Sequence, residues 1–323
     1  MPLPLLKFLK VPLLKSTSTA SPRRSGFAYG FGAHVVWGIL PLFFLSLAPA
    51  GAWEIVAWRV VFSVALCAIL LTVTHAWHGF AAIWRDRRLR AAFVVAALLI
   101  YGNWQTYVLA ATSGHVVDSA LGYFINPVFT VLLGVFVLHE RLRPMQWVSV
   151  ALSTIAIVII TVDEGQVPWI ALILAGTFGV YGLVKNRVGV STDALTGLAV
   201  ETTALFPIAI VVLVVVQLTG GITFAAHGVG HALMLMLAGP MTTVPLILFA
   251  AAARRLPLTW TGFLQYASPT IQFLIGVLVL HEAMPVSRWV GFMIVWAGLA
   301  LLIADSAVAA GRRHRAPAGE VRV

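Results

Sequence analysis

Arg59 and Glu201 lie inside long apolar stretches, 142 residues apart. An ionisable group at the centre of a membrane helix costs about 2.5–3.5 kcal/mol by insertion scales, so each needs a use or a partner. A buried carboxylate such as Glu201 can carry a proton, with Thr202 and Thr203 beside it. A direct pair is disfavoured, because the two sit at depths differing by roughly 10 Å in a hydrocarbon core of roughly 30 Å. The expected partners are Asp118 or Glu54 for Arg59, and Lys185 or Arg187 for Glu201. His34, beside Trp37, is a third ionisable candidate; it reads first as a hydrogen-bonded packing residue and second as a titrating one.

Neutral polar groups mark where a solute could bind. Asn103, Trp104, Gln105 and Tyr107 cluster near mid-depth of one apolar run, with Asn103 and Tyr107 on one helical face. Amides in hydrocarbon need partners, which either a neighbouring helix or a solute supplies. A second run holds Tyr123, Asn126 and Pro127; a later one holds Gln265, Tyr266, Ser268 and Pro269. Proline frees a backbone carbonyl in a helix, so Pro127 and Pro269 are fixed kinks or gating hinges.

These residues belong to an internal repeat. GYFINPVFTVLLGVFVLHERLRPMQW (122–147) is answered by LQYASPTIQFLIGVLVLHEAMPVSRW (264–289), with Pro127, Gly134, His139, Glu140 and Trp147 matched 142 residues later. A repeat of membrane helices points to a transporter and to the place of its binding site.

The elements that must position these groups are membrane helices. The 323 residues are 60% hydrophobic and only 10% charged, where a soluble domain carries about 25% charge. Apolar runs are expected near 27–47, 52–73, 91–111, 116–138, 145–162, 167–184, 194–218, 232–253, 258–280 and 286–304. Their continuity without alternation favours helices over a barrel. The formal net charge of +10 does not indicate nucleic acid, since the cations sit in short gaps between apolar runs. With the N-terminus in the cytoplasm, 19 of the 21 Lys and Arg fall on the inner side. Five spans per half then insert the second half upside down. The lone Cys67 permits no internal disulfide and reads as packing. No phosphate-binding GxxxxGK[ST] loop and no HExxH motif is present. His227 and His231 lack a third ligand nearby, so no metal is expected.

The stretches NWQTY (103–107), SGHVV (113–117), LGYFINP (121–127), LTGLAVETTALFP (195–207) and AAAARRLPLTWTGFLQYASP (250–269) resemble the RarD-type branch of the EamA family, in the drug/metabolite transporter superfamily. The resemblance covers about residues 27–305 and implies ten helices in two inverted five-helix repeats. It also implies a central cavity among helices 1–4 and 6–9, with helices 5 and 10 peripheral. Members carry small organic solutes.

The reading is an all-α integral membrane protein. A basic cytoplasmic tail (1–26) precedes a first five-helix repeat (27–163), an inverted second repeat (164–305) and a basic cytoplasmic C-terminal tail (306–323). Its expected work is alternating-access transport of a small metabolite or drug-like solute, with protons as the coupling ion through Glu201. The expected location is a cell membrane of the bacterial inner type. No cofactor, nucleic acid or enzymatic activity is expected; lipids surround the chain, and the outer faces of helices 5 and 10 offer a homodimer contact. The alternatives are an uncoupled facilitator and, from another class, an intramembrane enzyme acting on a lipid. Two-fold exchange of halves serves transport better than catalysis.

Overall fold

The computed structural model describes residues 22–138, 142–188, 193–256 and 258–315, and these are helical with no strand. The first 21 residues, the last eight, and His139, Glu140 and Arg141 lie outside the described residues. In chain order the helices are α1 (Pro22–Leu45), α2 (Ala52–Val73), α3 (Trp77–Arg85), α4 (Arg87–Thr112), α5 (Val116–Leu138), α6 (Pro144–Glu164), α7 (Trp169–Val188), α8 (Ala194–Thr219), α9 (Gly228–Ala253), α10 (Leu258–Gln265), α11 (Ala267–Leu274) and α12 (Val286–Arg315). A π-helical turn, Ile275–Val279, follows α11.

Among the described residues, eight helices are long and apolar enough to cross a membrane; Trp169–Lys185 and Phe263–Val279 form shorter apolar stretches. The helices start where the chain supplies acceptors for free amides. Asp86 accepts from the amides of Arg88 (2.8 Å) and Leu89 (3.1 Å) at the start of α4, and Asp193 accepts from Thr196 N (2.9 Å) at the start of α8. Gly165 ends α6 in the left-handed region at φ 66°, where a side chain would be strained. Large apolar side chains face outward, among them Phe136 at 72% and Val211 at 61% exposure. Water tolerates no such continuous apolar surface, and lipid does.

Three expectations need correction. The segment between the second and third spans folds into the short amphipathic helix α3. Its Phe80, Ile83 and Trp84 pack with Phe93 and Val200, so a run too short to span is fixed by burying one face. The expected span 258–280 is broken at Tyr266 into α10 and α11. Pro269 cannot donate to the Gln265 carbonyl four residues earlier, which is where the break falls. Pro127, its counterpart, stays within the unbroken α5. Finally, α1 begins at Pro22 and α12 runs to Arg315, so both helices extend past the apolar runs expected at 27–47 and 286–304.

Two larger apolar clusters hold most of the remaining helices together. One gathers Phe44, Ile55, Val60, Leu205 and Leu235 from α1, α2, α8 and α9. The other gathers Leu121, Phe124, Ile160, Ala171, Phe273 and Phe292 from α5, α6, α7, α11 and α12. The antiparallel pair α6 and α12 is pinned at both ends. Arg143 pairs with Asp305 at 3.0 Å, while Arg288 holds Glu164 and reaches Asp118 at 3.4 Å.

Candidate functional site

A cavity of about 330 Å³ opens among α1, α2, α4, α5 and α7–α11, while α6 and α12 contribute no lining residue. That volume is at the small end of ligand pockets.

One wall is built around Arg59 of α2. Its Nε donates to Thr242 Oγ1 of α9, and Thr242 is itself anchored to Ala238 O at 2.9 Å. The guanidinium lies over the Trp104 ring, 4.3 Å from its centroid. Arg59 is 4% exposed, and its Nη1 has no hydrogen-bond partner. Neither expected acid reaches it. Glu54 accepts from Thr223 N (2.8 Å) and Phe224 N (3.2 Å), and Asp118 faces His115 (3.1 Å) and Arg288. The Trp104 face and Thr242 hydroxyl stand nearer than either.

Glu201 of α8 lines the same cavity but makes no pair with Arg59. Its Oε1 accepts from Lys185 Nζ at 2.7 Å and its Oε2 from the Tyr181 hydroxyl at 3.2 Å, both from α7. Spacing of four residues puts Tyr181 and Lys185 on one face of α7. Lys185 Nζ also sits 4.8 Å from the centroid of the Phe93 ring.

A third group ties α4 to α5 and α7. Asn103 Nδ2 donates to Leu174 O and Thr177 Oγ1, each at 3.1 Å, and its Oδ1 accepts from Tyr123 OH at 3.1 Å. This amide therefore works between helices as well as on the cavity wall. Trp104 and Tyr107 line the cavity, but Gln105 does not. Two residues of helix rotate it about 200° from Asn103, so it is buried away from the opening, with both side-chain polar atoms unpaired.

A fourth group joins α1 to the broken helix. His34 Nδ1 meets Ser268 Oγ at 2.9 Å, and Ser268 Oγ donates to His34 O at 3.0 Å. The single serine proton is thereby used, so Nδ1 carries a proton and the unpartnered Nε2 is an acceptor in the neutral ring. Gln272 Nε2 donates to Trp37 O at 3.2 Å. Asn126, Pro127, Gln265, Tyr266 and Pro269 also line the cavity.

Trp37, Phe178, Tyr181, Thr242, Phe249 and Gln272 also line the wall, with four aliphatic side chains, Leu40, Ile100, Leu198 and Leu246, between them. Of these, only Trp37 was singled out from the sequence, as the neighbour of His34. The repeat offset held a further signal: applied to Ile100 and Tyr107, it lands on Thr242 and Phe249. Phe178, Tyr181 and Gln272 have no such mark.

Beyond the cavity, Glu282 crosses from the end of the broken helix to the start of α5. It accepts from Val116 N at 2.6 Å and Val117 N at 2.8 Å. Burial pushes its carboxyl above the usual carboxylate range, while the two amides pull the other way.

Comparison with known proteins gives a consistent result. The model of the EamA-like transporter family matches residues 24–162. The chain is similar to Protein RarD of Streptomyces exfoliatus, at 45% identity over 91% of this chain and 92% of that protein. It is also similar to a protein of Vibrio cholerae named an uncharacterized transporter, at 37% identity over 91% and 96% of the two chains. A solved crystal structure matches with a TM-score of 0.55 and 18% identity, covering 91% of this chain and all of that one, and so shares the fold.

Proposed function

Because the chain belongs to the EamA-like transporter family, in its RarD-type branch, and is a multi-pass membrane protein, we propose that it carries a small organic solute by alternating access. The first half would be α1, α2, α4, α5 and α6, and the second α7, α8, α9, the broken α10–α11 helix and α12. The observation that carries this reading is the paired lining of one cavity. Arg59 and Glu201, Tyr107 and Phe249, Tyr123 and Gln265, Asn126 and Ser268, and Pro127 and Pro269 all reach the wall, each pair 142 residues apart. Packing supports the same exchange. α1 lies on α9 as α7 lies on α4, and α5 lies on α7 as α11 lies on α1. Two halves that can trade conformations about a shared cavity form inward-open and outward-open states.

The charge distribution supports N- and C-termini in the cytoplasm. On that orientation Glu282, Arg288, Glu164 and Asp118 gather at the outer end, where Glu282 ties the end of the broken helix to the start of α5 and would act as an outer gate. Glu282→Gln keeps the shape and removes the charge that holds two helix-start amides. In a Cys67→Ala, Leu246→Cys background, it is expected to raise outside labelling by an impermeant maleimide about threefold, a population shift of about 0.7 kcal/mol. Unchanged labelling would show that Glu282 does not hold the gate.

Coupling rests on Glu201, whose pairing with Lys185 leaves a carboxylate that changes partners when it takes a proton. The deciding experiment is counterflow in proteoliposomes with a metabolite library, with and without a pH gradient. Exchange of a solute supports transport, and enhancement by the gradient supports proton coupling. Exchange that ignores the gradient would indicate a facilitator. A lipid product made by purified protein in detergent would replace transport with catalysis.

A further inference from the structure

The transport reading leaves the solute's charge open, and the cavity wall bears on it. Arg59 is the only Arg or Lys among the lining residues, and it has no carboxylate partner among the described residues. Glu201, the lining acid, is already matched by Lys185 and Tyr181. The wall therefore presents one uncompensated positive charge, on a buried side chain among apolar and aromatic groups, where such a charge is costly.

We propose that the solute is an organic anion whose carboxylate docks on Arg59, supplying the counter-charge that the protein withholds. The guanidinium has Trp104 on its face and Thr242 on Nε, and its Nη1 is unpartnered. The Tyr107 hydroxyl, also buried and unpartnered, belongs to the same cavity wall. Phe44 lies 5.9 Å from the Tyr107 ring and 5.8 Å from Arg59 Cζ, so the two donors flank one aromatic ring. A carboxylate accepts from both with charge assistance. Elsewhere on the wall the unpartnered atoms are acceptors: His34 Nε2, Asn126 Oδ1 and Gln272 Oε1. They take N–H or O–H groups at the other end of the solute. The rings between suit a flat apolar body. Among the described residues that line the cavity, a cationic solute finds no free carboxylate.

The test uses three molecules of one shape: 4-hydroxyphenylacetate, 4-hydroxyphenylacetamide and tyramine. Calorimetric titration of the full-length protein in lipid nanodiscs is expected to show the anion binding at least about tenfold more tightly than the other two. Arg59→Gln is expected to bring the anion-to-amide ratio within about twofold. Tyr107→Phe keeps the cavity's shape and is expected to lower the ratio a few-fold, so the proposal stays testable if the arginine variant does not fold. It is overturned if the amide or the amine binds as tightly, if the anion does not bind at millimolar concentration, or if its preference survives Arg59→Gln. Binding requires no flux. Selective binding of the anion with no counterflow leaves the docking site standing and removes transport, whereas counterflow of only neutral or cationic solutes does the reverse.

Discussion

Glu201→Gln is expected to abolish accumulation of solute against a gradient while leaving exchange across the membrane measurable. The substitution conserves volume and leaves an amide oxygen to accept from Tyr181, but it cannot neutralise Lys185. Stripping one partner from a fully buried ion pair costs about 3–5 kcal/mol. The cost here is smaller, because the Lys185 side chain is 26% exposed against 3% for Glu201, so the ammonium can lean toward water. Stability should therefore fall modestly, and coupling should fall completely. The two effects separate in a double variant, Lys185→Met with Glu201→Gln, which removes both charges. Its thermal midpoint should recover toward the parent, as expected for interacting neighbours, and its uphill transport should stay absent. Proteoliposomes energised by a pH gradient give the readout. If Glu201→Gln accumulates solute as the parent does at several pH values, the carboxylate has no part in coupling.

The sequence put Lys185 and Arg187 within reach of Glu201, because all three stand near one end of adjacent apolar runs; choosing between the two cations takes the facing of α7 toward α8, which gives Lys185. It could not place Arg59, since the choice among Asp118, Glu54 and an aromatic face depends on which helix lies across from α2. The same limit explains Gln105. Its type and depth matched those of Asn103, but two residues of helical rotation turn it away from the cavity. The apolar runs were legible because length and hydropathy are local properties. Helix α3 was not, because nine residues of mixed polarity acquire their structure only on packing against α4 and α8. The matched prolines show the boundary most clearly. Identical spacing put Pro127 and Pro269 in equivalent places, yet only the second lies at a break. The neighbours of each carbonyl decide whether a missing donor bends a helix or interrupts it.

Gly239→Ala is expected to damage both stability and the site, through backbone contact alone. A β-carbon there would lie 2.5 Å from the Phe62 carbonyl carbon and 2.8 Å from its oxygen. No rotamer change relieves a clash with backbone, so α9 must move away from α2. Overpacking of this kind costs about 1–3 kcal/mol. Thr242 follows three residues later on the same face of α9 and holds Arg59 by Nε. Displacing α9 therefore loosens the guanidinium as well as the helix contact. Gly182 on α7 is the control, because a β-carbon there meets nothing within 4 Å. Gly182→Ala should leave stability unchanged or raise it by about 0.5–1 kcal/mol through helix preference. Thermal unfolding in detergent should separate the two variants by several degrees, with Gly239→Ala the lower. Equal midpoints would mean that α2 and α9 do not meet at Gly239, and the Arg59–Thr242 contact built on that approach would fall with it.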